Sequence, residues 1–325
     1  MKLSIIIVNY RSWDCLAQCL DSLLQETETQ PWEIIVVDNC SKDGRMDEFQ
    51  ARFSGVRFLQ SGRNNGFAYG CNKGAELASG ETLLFLNPDV VVKPGSVSAL
   101  LKTMTAHSNL AILTCGQLDG RGRQQKVFDT FPEGLTWFRT VKSLLRWLRP
   151  KRYPDPRQPL SGLIDCDWVS GSVFMIGRVA FDELGGWRED YWMYVEDCDF
   201  CLRAARRTMR VGCDGDVWMT HYHGGASRQT YAISVLTRTE SIVSKHLYVQ
   251  LNYTSLNRVF NHLCVFLAMV PKLLIYSILD LLTLRRIRLL KTRSDVFIGL
   301  MRHYGYVLKT GSWRSRQFRD DVSAG

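Results

Sequence analysis

The sequence predicts an α/β protein built on a doubly wound sheet. Three features predict it: continuous apolar runs rich in β-branched residues, helical patterns between them, and polar residues where each run ends. A run apolar at every position fits a strand covered on both faces, and strands alternating with helices build a mainly parallel sheet.

Residues 3–8 (LSIIIV) are the first such strand. Ser12 then offers an N-cap oxygen, and Leu16, Leu20, Leu23 and Leu24 gather on one side of the helix it starts. Residues 33–38 (EIIVVD) are a second buried strand, closed by the turn-rich NCSKDG. Residues 56–59 read as a third strand, 67–78 as a helix and 82–86 (TLLFL) as a fourth strand. Further on, two short strands flank Gly171, a helix runs up to a Gly185-Gly186 stop, and another begins near Glu196. The apolar stripe of that last helix is read as Val195, Cys198, Leu202 and Ala205. At about 100° per residue Asp197 and Asp199 leave the stripe on opposite sides, so only one can face a given cleft. Acidic residues in a first turn also suit the helix dipole without any chemistry.

Size and composition bound the rest. With 325 residues, 46% apolar and 22% charged, the chain can bury a large core and is not of the disordered class. The apolar start ends at Asn9 without the h-region of a signal peptide, so the ten cysteines are expected as free thiols in a reducing compartment. Cys198 and Cys201 form a lone CxxC, which reads as two core thiols on a helix and not as half of a zinc site. The net charge of +9 is concentrated: residues 285–325 hold ten Lys/Arg against three Asp, and a second basic cluster runs from Arg139 to Arg157. That balance suits nucleic acid, anionic lipid or phosphorylated ligands without choosing among them.

Two segments stay open on sequence alone. In WFRTVKSLLRWLRP, Phe138, Val141, Leu145 and Leu148 share a helical face, which fits a lid, a membrane-surface helix or a core helix with a basic solvated side. Residues 263–284 are long enough to span a bilayer, but Pro271, Lys272 and Asp280 interrupt them. An in-plane amphipathic hairpin beside basic residues is the expectation, with a true span or a packed appendage as alternatives.

The stretch LLFLNPDVVV (83–92) sets a polar Asn-Pro-Asp between two apolar runs. A plain turn explains it locally. Yet Asn9, Tyr10, Asp38, Asn87 and Asp89 all fall at strand ends, and open parallel sheets bind ligands beyond the carboxyl ends of their strands. A ligand crevice explains the set better than unrelated turns.

At this point the pieces resemble a family. SIIIVNY (4–10), VVDNCSKDG (36–44), NNGFAYGCNKG (64–74), LFLNPDVVV (84–92), WVSGSVFMI (168–176), GGWREDYWMYVEDCDFCLRA (185–204) and HYHGGAS (221–227) follow the order of inverting family 2 glycosyltransferases, rhamnosyltransferase-like branch. The resemblance covers roughly residues 1–230 and implies a GT-A fold: a doubly wound mixed sheet with helices on both faces, here followed by a helical appendage. It implies a catalytic domain over 1–245, with a nucleotide-binding half (1–115) and an acceptor half (116–245); the basic helical region over 246–325 is expected, from its own charge and apolar run, to associate with a membrane.

The resemblance also implies roles. Val8, Asn9, Tyr10, Asp38, Asn65, Gly66, Gly70, Asn72 and Asn87 would line the nucleotide, Tyr10 and Asp38 holding base and ribose, the glycines and Asn72 letting backbone come close. Asp89 matches the last aspartate of the Asp-x-Asp metal motif, here Asn87-Pro88-Asp89, and would ligate Mg2+ or Mn2+. His221 and His223 both precede Gly224-Gly225-Ala226-Ser227, and either fits as a further ligand, since the usual spacing falls on Tyr222. Glu196-Asp197 matches the Glu-Asp motif, with Asp197 as general base and Asp199 as runner-up. Trp168, Gly171, Trp192 and Tyr194 would meet donor or acceptor sugar, the two loop aromatics having loop support as an equal reading. Arg188 departs from the family, which usually has Asp there.

The expected partners are a dTDP-, UDP- or GDP-linked sugar, a lipid-linked or oligosaccharide acceptor and an anionic membrane surface; no nucleic acid is expected. The expected location is the cytoplasmic side of the cell membrane, peripherally attached. Of the rivals, a sugar-phosphate nucleotidyltransferase lacks its Gly-rich, Arg-containing N-terminal loop here, and neither GxGxxG nor GxxxxGK[ST] occurs. A non-catalytic basic membrane- or nucleic-acid-binding protein would explain the tail but not the carboxylates at strand ends.

Overall fold

The computed structural model describes residues 3–27, 32–222 and 230–318. In chain order the elements are β1 (Leu3–Asn9), α1 (Trp13–Thr27), β2 (Glu33–Asp38), α2 (Met46–Arg52), β3 (Arg57–Gln60), α3 (Phe67–Leu77), β4 (Thr82–Leu86), β5 (Val90–Val91), α4 (Ser96–Ala106), β6 (Leu110–Leu118) and β7 (Phe128–Asp129). They continue with α5 (Arg139–Leu148), β8 (Leu163–Asp165), β9 (Trp168–Val169), β10 (Val173–Gly177), α6 (Arg178–Glu183), α7 (Glu196–Ala205), β11 (Arg210–His221), α8 (Tyr231–Asn252), α9 (Ser255–Leu282) and α10 (Arg288–Thr310). Two compact units result: one from the described parts of Met1–Phe131, Pro154–Glu189 and Glu196–Ala226, the other from those of Pro132–Tyr153, Asp190–Val195 and Ser227–Gly325. The boundary expected between 245 and 246 falls inside α8.

The first unit is a nine-stranded mixed sheet in the order β3-β2-β1-β4-β10-β6-β11-β5, with β8 joined to β11. The first four strands are parallel; β10 runs antiparallel to both β4 and β6. Alternation along β1 feeds two cores. Ile5 and Ile7 pack with Leu16 and Leu20 of α1 and Leu100 of α4, while Ile6 and Val8 pack with Ala68 of α3, Phe181 of α6 and Phe200 of α7. Register decides where the polar ends meet. Asn9 lies opposite Asp38, Ile7 opposite Leu86, and Leu86 opposite Val173, so the ends of β1, β2 and β4 and the start of β10 share one rim.

Two elements differ from the sequence reading, and a third narrows an open one. The buried side of α7 is Cys198, Phe200, Cys201 and Ala204 together with Glu196 and Asp199, not the stripe through Leu202 and Ala205. Buried, paired charges on that helix are invisible to a hydrophobic pattern. Residues 263–284 are not a hairpin: α9 runs unbroken through Pro271, which is exposed. A third finding concerns α5, which buries none of its residues and so is no core helix.

In the second unit α8, α9 and α10 close around Ile242, Val243, Val270, Leu273, Val296 and Leu300. The side chain of Asn261 accepts from the Gly134 amide (2.7 Å) and from Trp137 Nε1 (3.1 Å), tying α9 to the turn before α5. Asp280 is fully buried on α9, with Arg285 Nε 3.6 Å away. All ten cysteines are free thiols, and burial pushes the Cys201 thiol up.

Candidate active site

The rim of the first unit gathers polar side chains that parallel strands cannot use in their own ladder. Asp38 ends β2 almost fully buried, and its carboxylate is held from three sides. Asn9 Nδ2 donates to Oδ1 (3.2 Å), Gln60 Nε2 and the Ser41 amide donate to Oδ2 (3.1 and 3.0 Å), and the Ser41 hydroxyl donates to Oδ1. Tyr10 follows, half-buried, with Arg11 over its ring at 5.4 Å. The carboxylate is thus fixed beside an accessible aromatic ring.

Asn87-Pro88-Asp89 does form a turn, closed by the Val90 amide donating to Asn87 O (3.1 Å). The turn aims Asp89 at the end of β11, where β5 pairs with His221. His221 Nε2 lies 3.2 Å from Asp89 Oδ1, and both residues are buried. His221 Nδ1 lies 3.0 Å from Gln117 Oε1, which also accepts from the Ser172 hydroxyl (2.9 Å). An amide oxygen only accepts, so the Nδ1 nitrogen carries a proton toward it and Nε2 is turned toward the carboxylate. At that distance a proton or a metal cation can be shared between the ring nitrogen and the carboxylate. Imidazole plus carboxylate is a donor pair that suits Mg2+ or Mn2+, and the amide behind Nδ1 orients the ring as an outer-sphere partner does. No group of three His, Cys, Asp or Glu side chains capable of holding an ion occurs among the described residues, so the remaining ligands of such an ion would be substrate oxygens and water. Beside Asp89 opens a cavity of about 310 Å3 lined by Cys15, Gln18, Val91 and Tyr222.

Ser172 carries the network onward. Its carbonyl accepts from the Asn87 amide (2.9 Å), its hydroxyl lies 3.0 Å from that of Ser170, and between them the Gly171 amide donates to Asp197 Oδ2 (3.0 Å). The Cys198 amide donates to Asp197 Oδ1 (2.8 Å). Burial pushes the Asp197 carboxyl above its ordinary range, against the pull of these two amides. Glu196 is buried beside it with Oε2 unpartnered, and burial, then the charge of Asp197, drive its carboxyl far higher. Asp197 is the more accessible of the two, at the start of α7.

Asp199 points elsewhere. It is fully buried, with Arg188 Nη1 on Oδ1 (2.9 Å) and Arg203 Nε on Oδ2 (3.0 Å). Arg188, Arg203, Arg206 and Arg207 line a larger cleft of about 460 Å3 around this ion pair. The residue that breaks the family pattern thus serves as a counter-charge inside the unit.

Other expected residues fall into two groups. Gly66 caps α3 at φ 92°, a value that favours glycine, and its carbonyl accepts from Asn39. Asn65 is half-buried nearby with its amide facing Arg63, and Trp168 donates from Nε1 to Thr130 O (3.1 Å) under the Lys126 ammonium. For Gly70, Asn72 and Val8 the geometry corrects the reading. A Cβ on Gly70 would lie 2.6 Å from Val8 Cγ1, so that glycine seats α3 on β1 and Val8 is the core residue beneath it. Asn72 grips the turn before Arg188, donating to Trp187 O and Glu189 Oε1 (both 2.8 Å) and accepting from the Trp187 amide (2.9 Å). Trp192 is buried and Tyr194 half-buried, both in the second unit, and Tyr194 and Val195 are each left-handed at φ 70°. His223 lies outside the described residues. Gln117, Ser172 and Ser41 escaped the sequence reading; the strand-end position of Gln117 was the available signal.

Residues 4–184 match glycosyl transferase family 2. The chain belongs to that family. It therefore carries a glycosyltransferase domain with the GT-A fold. Among relatives, the low-salt glycan biosynthesis hexosyltransferase Agl10 of Haloferax volcanii is 29% identical over 214 residues, which are 65% of this chain and 64% of that protein. The match thus spans a little under two thirds of that relative's length. The N-acetylglucosaminyl-diphospho-decaprenol L-rhamnosyltransferase of Mycobacterium tuberculosis is 29% identical over 225 residues, 61% of this chain and 68% of the relative. Among solved structures, the mannosyltransferase of Pyrobaculum calidifontis, in complex with GDP-Man and Mn2+, superposes at TM-score 0.54 and 14% identity over 92% of this chain and 85% of that one. GalNAc-T7 with UDP, GalNAc and Mn2+ superposes at 0.53 and 14% identity, covering 95% of this chain and 57% of that one.

Proposed function

We propose that this chain is a metal-dependent inverting glycosyltransferase. It moves rhamnose or a related hexose from a nucleotide-diphosphate donor to a lipid-linked or growing glycan, at the cytoplasmic face of the cell membrane, in cell-surface polysaccharide synthesis. The observation that carries the reading is the contiguous polar path from Asp89 through His221, Gln117 and Ser172 to the loop that holds Asp197. It brings a cation-binding pair and a carboxyl of raised proton affinity to one rim. Relatives named as a hexosyltransferase of glycan biosynthesis and a rhamnosyltransferase of a decaprenol-linked substrate favour the substrate class.

In this reading Tyr10 lies against the base, and the fixed Asp38 carboxylate accepts hydrogen bonds from the nucleoside, with Asn9, Asn65, Gly66 and Asn87 at the nucleotide edge. Asp89 and His221 hold Mg2+ or Mn2+, which when bound offsets the charge of the leaving diphosphate as a Lewis acid. Asp197 takes the proton of the acceptor hydroxyl. The freed oxygen bonds to the anomeric carbon from the side opposite the diphosphate, the carbon–oxygen bond to the diphosphate breaks, and the configuration inverts. Glu196, kept neutral by burial, spares Asp197 a second negative neighbour. Gly171 and Trp168 border the acceptor side.

Calorimetric titration with UDP, dTDP and GDP, with Mn2+ and with EDTA, tests the reading. One nucleotide should bind, at least tenfold tighter with Mn2+, and His221→Ala should remove most of that difference while leaving the metal-free affinity unchanged. Equal affinity in EDTA, or indifference to His221, would refute it.

A further inference from the structure

The second unit carries an apolar stripe that neither its own core nor its own side chains cover. On α9, Leu256, Val259, Leu263, Ile275, Ile278 and Leu282 are each at least half exposed. At about 100° per residue they fall within an arc of roughly 160°. A stripe of this length far exceeds the scattered exposed leucines of an ordinary surface. Outside that arc the same helix is committed to protein: Leu273 in the three-helix core, Asn261 to Gly134 and Trp137, and Asp280 beside Arg285, while Val270, within the arc, is buried in the same core.

That two-sidedness decides how the helix would meet a bilayer. A span would surround α9 with lipid, tearing Asn261 and Asp280 from their partners, or drag charged α10 into hydrocarbon at about 2.5–3.5 kcal/mol per charge. Its 28 residues also extend about 42 Å, well beyond the roughly 30 Å of a hydrocarbon core. Lying flat, the same helix keeps every protein contact and buries only the stripe.

The charges name the surface it meets. Asp280 is the one acidic residue on α9 and it is buried, while Arg285, Arg286, Arg288, Lys291 and Arg293 follow directly at the C-terminal end. In the same unit α5 has no acidic residue, carries Arg139, Lys142 and Arg146, and exposes Trp147 by 77% beside Leu144 and Leu148. Leu135, exposed on the turn before α5, lies next to Gly134, which Phe260 of α9 approaches. Exposed tryptophan and leucine among arginines are the composition of an interfacial anchor.

We infer that α9 and α5 form an in-plane anchor for an anionic lipid bilayer, with the stripe of α9 sunk among the acyl chains and the arginines on the headgroups. The inference deepens the proposed function, resting on it only for the reason a membrane site is useful: an acceptor on a lipid carrier is met there.

Flotation of the full chain with phosphatidylcholine vesicles, with and without phosphatidylglycerol, is the test. Binding should need phosphatidylglycerol, weaken with salt, and be released by alkaline carbonate. Leu263→Glu combined with Ile278→Glu should lower bound protein at least tenfold, with Mn2+-dependent nucleotide binding and thermal melting unchanged. Undiminished flotation of this variant, equal binding to neutral vesicles, or resistance to carbonate extraction would overturn the inference. So would a dimer formed through this face that vesicles fail to dissociate. Loss of nucleotide binding by the unsubstituted chain would instead count against the proposed function and leave the lipid result standing.

Discussion

Replacing Asp197 by asparagine separates the chemistry from the fold. A positioned general base contributes about 10²- to 10⁴-fold, or about 2.7–5.4 kcal/mol of barrier, so turnover should fall by that factor. The structural penalty is smaller. Asparagine Oδ1 can keep the Cys198 amide, while its NH2 would face the Gly171 amide, losing one hydrogen bond of about 1–1.5 kcal/mol. Part of this returns, because burial already favours the uncharged form at this position. Melting should therefore shift little, and nucleotide affinity in Mn2+ should hold. The pH profile gives a second check. Only the ionised carboxyl accepts a proton, so the wild-type rate should rise with pH through the elevated Asp197 titration, and the variant should lack that limb. Turnover within a few-fold of wild type, or an unchanged acid limb, would show that the base lies elsewhere.

Two further expectations concern stability. Asp199→Ala strands the guanidinium groups of Arg188 and Arg203 and should lower the unfolding free energy in urea by about 3 kcal/mol, the low end for a broken buried pair because Arg188 is partly solvated; an unchanged stability with abolished turnover would make Asp199 chemical instead. Glu240, nearly buried on α8 and bonded to Ser315, has its carboxyl pushed up by burial to about 7. The folded state therefore holds its proton more tightly than the unfolded chain. Its contribution is fully present below the ordinary glutamate range and is lost as pH rises through about 7, up to about 3 kcal/mol in all. Glu240→Gln should flatten the fall of unfolding free energy between pH 5 and 8; an unaltered slope would refute the assignment.

What the sequence disclosed follows from what burial writes into it. β2 and β4 are covered on both faces, so EIIVVD and TLLFL were legible to the residue. The strand-end positions of Asp38 and Asp89 were legible for the same reason. β11 carries no continuous strand pattern, since Gly212, Asp214, Gly215 and Asp216 and a register shift between Asp214 and Trp218 erase it. That His221 faces Asp89 is set by the pairing of β11 with β5, which no local spacing encodes. Gly70 and Asn72 were assigned to a ligand because their actual partners, Val8 and Trp187, are set by tertiary packing that no local spacing encodes. Pro271 was taken as a break by a rule that exposed, lengthy helices can evade by bending.

The Arg188–Asp199 pair has a consequence for reading kindred chains. The two positions, with Arg203, form one electrical unit. A homologue with aspartate in place of Arg188 would set two carboxylates together with Arg203 alone to offset them, unless position 199 changed as well or a further cation arrived. Column 188 should therefore be compared across sequences only jointly with column 199.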